Sequence, residues 1–377
     1  MAGAVPRRDC AGARVSPAQG MPTLQQRYAV ATPLSDITMR RLRWLWEGRV
    51  PVAIIAMLAG RGGEGKSTFG LHLAAQLTRG TLPGEYEGTP RNVLYVAFED
   101  DAAAVVKPRA IAAGADTAHL HMLTIKAHGS TLESSPSLIT DLALIEQQVK
   151  ALDAVAVIVD PLSSGMAGVN RDRSSDVRPV LDGIAEMAAR TGATVLAVAH
   201  FAKGGGAAID KLSGSHEFID RARAVLMFAT DDDGTKIAEL VKSNYARSSE
   251  ANIAFRLDSV PVDIDGRTVD IGAVTILGET SRSVGDVINA AQEDDAEEMH
   301  DAQRWLIAYM RDQEAYEAKA GDVLKAARSA GFRDQQIKDA RRLFNKRPAS
   351  SRDHERITTH QAGGGWLWSL QADAPAD

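Results

Sequence analysis

The chain has almost no cysteine and no long apolar segment. Cys10 is the one cysteine among 377 residues, which excludes an internal disulfide and a zinc site built from cysteines. Such a composition is typical of a reducing compartment, so we expect a cytoplasmic protein. No apolar run approaches the roughly 20 residues that a membrane-spanning helix requires, so we expect no membrane partner.

Aromatic residues and surplus positive charge are also scarce. Aromatic side chains make up 5% of the chain, and the formal net charge is -6, which argues against a uniformly basic coat for nucleic acid. Hydrophobic residues account for 45%, an ordinary globular share. The length is sufficient for a large core and a second, smaller domain.

A glycine-rich stretch dominates what is present. It matches the phosphate-binding pattern G-x-x-x-x-G-K-[ST] at every fixed position. The apolar run 52–58 precedes it, and Phe69, Leu73 and Leu77 follow at helical spacing, so the loop should join a buried strand to a helix. The residues predicted to surround the nucleotide are Gly60, Arg61, Gly62, Gly63, Glu64, Gly65, Lys66, Ser67 and Thr68.

The chemistry of phosphate binding explains this spacing. Glycines allow backbone N–H groups to converge on phosphate oxygens, and the helix that follows contributes the positive end of its dipole. Lys66 is predicted to reach the β and γ phosphates, and the Ser67 hydroxyl to bind Mg²⁺. The loop therefore predicts ATP and Mg²⁺ as ligands.

Three further apolar segments end in a polar side chain. Segment 92–98 is followed by Glu99, our candidate general base, although a helix-capping role is the alternative for this acidic cluster. Segment 154–159 leads into Asp160, predicted to hold Mg²⁺ opposite Ser67. Segment 193–199 leads into His200, which could sense the γ phosphate or simply cap its strand. Parallel strands bring their carboxyl ends to one edge, so these side chains should face the phosphate loop.

These residues resemble a known group, the RecA-like ATPases of RepA-type hexameric replicative helicases and of phage or actinobacterial AAA-family proteins. The resemblance covers roughly residues 40–280. It is carried by 44–46, 60–67, 98–100, 159–161, 176–178 and 198–203.

The resemblance implies an α/β fold with a RecA-like P-loop core, in which a mainly parallel sheet ends in antiparallel strands. It implies that Glu99 is the catalytic base and His200 a γ-phosphate sensor. It also implies a homo-oligomeric ring, with a hexamer favoured, whose loops touch single-stranded DNA in a central channel. The residues predicted to lie on those loops are Arg171, Arg173 and Lys203.

Ring assembly in that group places a basic residue from the next subunit on the γ phosphate. Lys242 is our candidate for this catalytic role, with Arg221, Arg223 and Arg247 as substitutes. Helicases of this class often carry a Lys-x-Arg pair here, whereas this chain has Asn244 in the arginine position.

The C-terminal part of the chain has a basic charge balance, unlike the chain as a whole. Residues 303–360 contain 13 lysines and arginines against 8 acids. Three short helical patterns with a glycine turn, followed by two strand-like segments, predict a winged helix. We expect it to bind DNA, which could be duplex, through Lys338, Arg341 and Arg342, and a protein-contact role is the alternative.

The sequence thus predicts five segments. They are a disordered segment 1–32, an ATPase domain 33–283, an acidic linker 284–301, a winged-helix-like domain 302–372 and a disordered tail 373–377. Met21 is an alternative start to Met1. The functional prediction is a DNA-acting ATPase, a replicative helicase or related motor. An ATP-switched regulator or helicase loader is the main alternative, and a small-molecule kinase is a weaker one.

Overall fold

The computed structural model describes residues 29–126, 133–170, 173–200, 217–245, 251–346, 355–362 and 365–372. Contacts divide the chain into one unit up to Leu42 and a second from Arg43 onward. In the first unit, residues 29–42 are exposed and carry a short 3-10 turn, Leu34–Asp36. The predicted disordered segments 1–32 and 373–377 lie mostly outside the described residues.

The second unit contains the strands and helices of the fold. Its strands up to residue 280 are β1 Trp44–Trp46, β2 Val50–Pro51, β3 Ile55–Gly60, β4 Val93–Ala97, β5 Leu120–Met122, β6 Ile125–Lys126, β7 Glu133–Ser134, β8 Ala156–Asp160, β9 Thr194–His200, β10 Ala224–Thr230, β11 Lys236–Ser243, β12 Asn252–Ile264 and β13 Arg267–Thr280. The helices in this region are α1 Lys66–Arg79, α2 Lys107–Ala112, α3 Leu142–Ala151, α4 Ser174–Thr191 and α5 Glu217–Arg221.

Among the described residues, nine strands form one sheet in the order β13-β12-β11-β10-β3-β9-β8-β4-β5. Strands β10, β3, β9, β8, β4 and β5 run parallel, whereas β11, β12 and β13 are antiparallel. The predicted fold class, a RecA-like P-loop core with antiparallel C-terminal strands, is confirmed. β12 and β13 are long, because exposed polar residues continue their pairing beyond the apolar part.

The central strands are buried on both faces, as expected for a parallel sheet covered by helices. Along β3, Met57 packs into the core on the α4 side and Leu58 into the core on the α1 side. On the α1 side, the ring of Phe69 lies 5.1 Å from those of Phe228 and Phe255. Trp46 joins this aromatic group, with its ring 6.1 Å from that of Phe69, so it packs on the domain.

The remaining elements form a C-terminal module. They are α6 Val284–Arg311, β14 Glu317–Lys319, α7 Ala320–Ser329, α8 Asp334–Asn345, β15 Glu355–Ala362 and β16 Gly365–Ala372. The strands pair in the order β14-β16-β15. Leu306, Ile337 and Trp368 belong to a core separate from that of the large sheet. The sequence predicted three helices followed by two strands in this region, and the structure adds β14, a strand that the sequence pattern did not reveal.

The segment predicted as an acidic linker, 284–301, is helical along its whole length and continuous with the first helix of the module. A capping box at Ser283 begins α6, with the Ser283 hydroxyl and the Asp286 carboxylate each accepting a bond from the other residue's backbone N–H. Val284 and Ile288 are buried in the core of the large sheet. Apolar residues four apart in the first turns therefore attach this helix to the ATPase core.

Among the described helices, none is both long enough and apolar enough to cross a bilayer.

Candidate functional site

The phosphate loop begins where β3 ends and stops where α1 begins. Gly63 and Gly65 have φ angles of +85° and +83°, which side chains other than glycine rarely adopt. A Cβ on Gly60 would lie 2.8 Å from the carbonyl oxygen of Phe228, so the close approach of β10 also demands glycine. The predicted loop therefore has the backbone that a phosphate cradle needs.

Lys66 lies in the first turn of α1 and is only 3% exposed. Its ammonium donates a hydrogen bond to the Arg61 carbonyl, 2.5 Å away, across the loop. Burial lowers the pKa of Lys66 to about 8, against the opposing effect of the negative charges on Glu64 and Asp160. An anion placed in the loop would stabilise this ammonium, so the site fits a phosphate ligand.

The pair Ser67 and Asp160 fits a magnesium ion. The Ser67 hydroxyl donates to Asp160 Oδ1 at 3.1 Å, and Asp160 is 9% exposed at the end of β8. Hydroxyl and carboxylate oxygens are the hard ligands that Mg²⁺ prefers. Burial raises the pKa of Asp160, whereas its hydrogen bonds from Tyr95 and Ser67 act in the opposite direction.

Tyr95 is part of this site, and sequence reasoning missed it. Its hydroxyl donates to Asp160 Oδ2 at 2.5 Å, which orients the carboxylate from the neighbouring strand β4. The burial of Tyr95, followed by the adjacent charge of Asp160, raises its pKa well above the ordinary value, so the hydroxyl keeps its proton. The signal available in the sequence was the single hydroxyl of Tyr95 within an apolar strand that ends in acidic residues.

The acidic residues after β4 divide into different roles. Asp101 accepts hydrogen bonds from the backbone N–H groups of Ala103 and Ala104, so it is the predicted helix cap. Asp100 pairs with Arg109 at 2.7 Å instead of capping. Glu99 is exposed, and its carboxylate accepts a bond from the Ser164 hydroxyl at 2.6 Å. Glu99 is thus held by the segment after β8, which sequence reasoning did not foresee.

His200 ends β9 directly beside Gly60 of β3. Burial and then the nearby charge of Lys66 lower the pKa of His200, and the charges of Asp160 and Glu99 oppose this shift. Since each of these groups affects the imidazole electrostatically, His200 lies within the same charged crevice. The sheet thus brings Glu99, Asp160 and His200 to the edge at which the phosphate loop lies.

Lys236, a residue that the sequence pattern did not single out, also contacts the loop. It begins β11, and its ammonium donates to the Gly63 carbonyl at 3.2 Å and to the Thr230 hydroxyl at 2.8 Å. The Thr230 hydroxyl in turn bonds to the Glu64 carboxylate. The only signal in the sequence was a charged residue at the start of the strand that follows the turn 231–234.

Lys242 lies at the opposite end of the sheet from the chain's own phosphate loop. It pairs with Val225 near the start of β10, whereas Phe228, three residues further along β10, pairs with Gly60. Its ammonium donates to the carbonyls of Ile219 and Asp220 at 2.6 and 3.1 Å. Lys242 therefore has no contact with the site of its own chain.

The substitutes for Lys242 differ in their surroundings. Arg221 forms an ion pair with Asp182, and Arg223 is exposed. Arg247 lies outside the described residues.

The predicted DNA contacts are only partly described. Arg171 and Lys203 lie outside the described residues, and Arg173 is exposed immediately before α4. On α8, Lys338 is exposed.

The two arginines of α8 already have partners within the module. Arg342 is exposed and pairs with Asp339 at 2.9 Å. The Arg341 guanidinium lies 4.4 Å from the centre of the Trp368 ring and donates to the Thr359 hydroxyl. Arg341 therefore joins α8 to the β15–β16 hairpin, a structural role that the prediction of a DNA contact did not include.

Comparison with known proteins gives one family. A family model described as an AAA domain matches residues 24–206, a segment that contains the phosphate loop, Glu99, Asp160 and His200. No curated protein matches the chain. Residues 24–206 are thus similar to an AAA domain, and the site that they build is that of a P-loop ATPase.

Proposed function

We propose that the protein is a Mg²⁺-dependent ATPase that assembles into a ring, hexameric by preference, and works on DNA as a replicative helicase or related motor. The observation that carries the hydrolytic part is the convergence of Glu99, Asp160 and His200 on the edge of the sheet where Lys66 and Ser67 begin α1.

In this proposal the Glu99 carboxylate accepts a proton from a water molecule. The water oxygen bonds to the γ phosphorus as the bond from that phosphorus to the bridging oxygen breaks, and the electron pair leaves with ADP. Lys66 stabilises the negative charge that develops on the phosphate oxygens. Ser67 and Asp160 would hold Mg²⁺, which neutralises phosphate charge when bound. His200 is positioned to respond to the γ phosphate.

Nucleotide affinity should depend on pH through Lys66. In the nucleotide-free site Lys66 loses its proton as the pH rises through about 8. Phosphate favours the charged ammonium and raises its pKa, so binding takes up a proton and ATP affinity falls as the pH passes through that value. Titration calorimetry at this pH, in two buffers of different ionisation enthalpy, measures the uptake. Affinity that is constant across this range, without proton uptake, contradicts the assignment.

The ring is supported by the position of Lys242. Lys242 lies at the opposite end of the sheet from the phosphate loop of its own chain. In that position a basic residue could contact the γ phosphate bound by a neighbouring subunit. Hydrolysis would then require two copies of the chain, each contributing part of one site.

Subunit mixing should reveal this sharing. We expect Lys242→Ala and Lys66→Ala proteins to be nearly inactive alone, because each lacks a cation that stabilises the transition state. A mixture of the two should regain ATP hydrolysis, since an intact loop can meet an intact Lys242 at a mixed interface. A mixture of Lys66→Ala with Glu99→Gln is the matched control and should stay inactive, because both lesions lie on the same side of the interface. Full activity of Lys242→Ala alone would contradict the shared site.

Action on DNA is supported by the basic balance of the C-terminal module and by the exposed side chains of Lys338 and Arg342 on its third helix. Arg173, before α4, is a second exposed basic position close in sequence to the predicted channel loop. The test is a forked DNA substrate with one labelled strand, incubated with ATP or a non-hydrolysable analogue. Strand release that requires hydrolysis supports a helicase.

A nucleotide switch is the second candidate, and a specific contact favours it. Arg282, just before α6, pairs with Asp231 in the turn between β10 and β11 through two hydrogen bonds of 2.5 and 2.8 Å. The Glu239 carboxylate accepts from the Val284 N–H at 2.7 Å. The C-terminal module is therefore joined to the hairpin that also contacts the phosphate loop. DNA-stimulated hydrolysis without strand release would favour this regulator or loader.

A further inference from the structure

The Lys236 side chain runs along the outer side of the phosphate loop. A Cβ placed on Gly65 would lie 3.4 Å from the Lys236 Cδ, so the methylene chain covers this glycine. The ammonium continues to the Gly63 carbonyl oxygen, 3.2 Å away, and to the Thr230 hydroxyl, 2.8 Å away. One side chain thus contacts the loop at two glycines.

The contact with Gly63 bears on the orientation of one peptide group. In a planar trans peptide the carbonyl oxygen and the next N–H point in opposite directions. Because the Gly63 carbonyl oxygen faces the Lys236 ammonium, the Glu64 N–H points away from Lys236, an orientation that leaves it free to donate to a bound phosphate. Glycines on both sides of this region permit other orientations, so an external contact is needed to select one.

A second contact restrains the Gly63–Glu64 peptide through the side chain of Glu64. The Glu64 carboxylate accepts a hydrogen bond from the Thr230 hydroxyl, which is itself a partner of Lys236. Thr230 and Lys236 face each other across the β10–β11 hairpin. Both residues of the Gly63–Glu64 peptide are thus attached to this hairpin, a part of the sheet outside the phosphate-binding motif.

The charge of Lys236 also reaches the phosphate site. It lowers the pKa of Lys66, in the same direction as burial.

We propose that Lys236 is a positioning residue that orients the Gly63–Glu64 peptide for phosphate binding and adds a second positive charge from the same chain. The choice of ATP as the ligand rests on the proposed function. The orientation of a loop amide affects the bound triphosphate before and during reaction, so we expect an effect on affinity more than on kcat.

The test compares Lys236→Met and Lys236→Arg with the wild-type protein. Methionine keeps the chain that covers Gly65 and removes the ammonium. We expect it to weaken Mg-ATP and inorganic tripolyphosphate binding about tenfold, the size typical of a lost hydrogen bond to a charged group, with a smaller change in kcat. Arginine should restore most of the affinity. Lys325→Met, at an exposed position on α7, is the matched control and should bind like wild type.

Rescue by arginine distinguishes positioning from a general loss of structure. A side chain that orients the Gly63–Glu64 peptide should affect ligand affinity more than kcat, and arginine should recover that affinity because it can still donate to the Gly63 carbonyl. If Lys236→Met does not fold, Thr230→Val provides the same comparison, since it removes the hydroxyl that both Lys236 and Glu64 contact. We expect Thr230→Val to bind Mg-ATP and tripolyphosphate more weakly than wild type.

The outcomes separate this proposal from the proposed function. If wild-type protein binds ATP and Lys236→Met binds it equally tightly, the role of Lys236 is overturned and the ATPase proposal is left intact. Equal binding by a folded Thr230→Val overturns it likewise where the methionine variant cannot be studied. Wild-type protein that binds neither ATP nor tripolyphosphate overturns both proposals.

Discussion

Replacing Glu99 by glutamine should abolish ATP hydrolysis while preserving ATP binding. The amide keeps an oxygen that can accept the hydrogen bond from the Ser164 hydroxyl, so the side chain should stay in place. It cannot accept a proton from water, and we expect kcat to fall roughly a hundredfold or more. Phosphate release in a single turnover measures the loss, and titration with a fluorescent ATP analogue measures the affinity.

The control for this substitution is Glu87→Gln, an exposed glutamate that is not among the predicted site residues. It should hydrolyse ATP at the wild-type rate. Near-normal turnover by Glu99→Gln would remove Glu99 from the mechanism. Loss of both binding and hydrolysis would instead assign Glu99 to the structure of the site.

The substitution Asp160→Asn should have an effect of similar size through the metal. Asparagine can still accept the hydrogen bond from the Tyr95 hydroxyl, and its amide can donate to the Ser67 oxygen, so the local packing is kept. It removes the negative charge that would hold Mg²⁺. We expect hydrolysis to fall about a hundredfold or more and the Mg²⁺ concentration needed for half-maximal turnover to rise.

Two further measurements make the Asp160 result specific. Thermal unfolding should stay close to wild type, because burial already disfavours the charged form of this carboxyl. Asp270→Asn, on the exposed part of β13, is the charge-matched control and should leave the Mg²⁺ dependence unchanged. A wild-type Mg²⁺ titration curve for Asp160→Asn would show that this carboxylate does not hold the metal.

The parts of the site that the sequence predicted are those encoded by contiguous residues. The loop from Gly60 to Ser67 is one motif, and the positions of Asp160 and His200 follow from apolar segments that can only be buried parallel strands. Because parallel strands end at the same edge, the convergence of these side chains could be predicted without knowing the strand order. The hairpin between β10 and β11 was predictable from its acidic turn closed by Gly234.

The parts that were missed depend on which strands and loops become neighbours. Tyr95 meets Asp160 because β4 pairs with β8, and Lys236 meets Gly63 because β10 lies beside β3. These pairings connect residues far apart in the sequence, and no local pattern specifies them. Ser164 lies in the segment that follows β8, and no motif or periodicity in the sequence indicated its contact with Glu99.

The C-terminal module shows the same division. The sequence predicted three short helices in this module, and α7, Ala320–Ser329, is one of the helices that the structure contains. The acidic composition of 284–301 instead suggested a linker, because charge without apolar periodicity is typical of solvated segments. The buried residues Val284 and Ile288 lie only in the first turns of α6. These apolar residues gave too little periodicity to predict a helix in a segment that is otherwise acidic.

The most direct test of the account is phosphate release from ATP by the purified protein, measured with Mg²⁺ or with EDTA and with or without single-stranded DNA. We predict steady hydrolysis that requires Mg²⁺, needs no second phosphate acceptor and is stimulated by the DNA. A protein that binds ATP but releases no phosphate under any of these conditions, or that releases it only when a small-molecule acceptor is supplied, would contradict a DNA-acting ATPase.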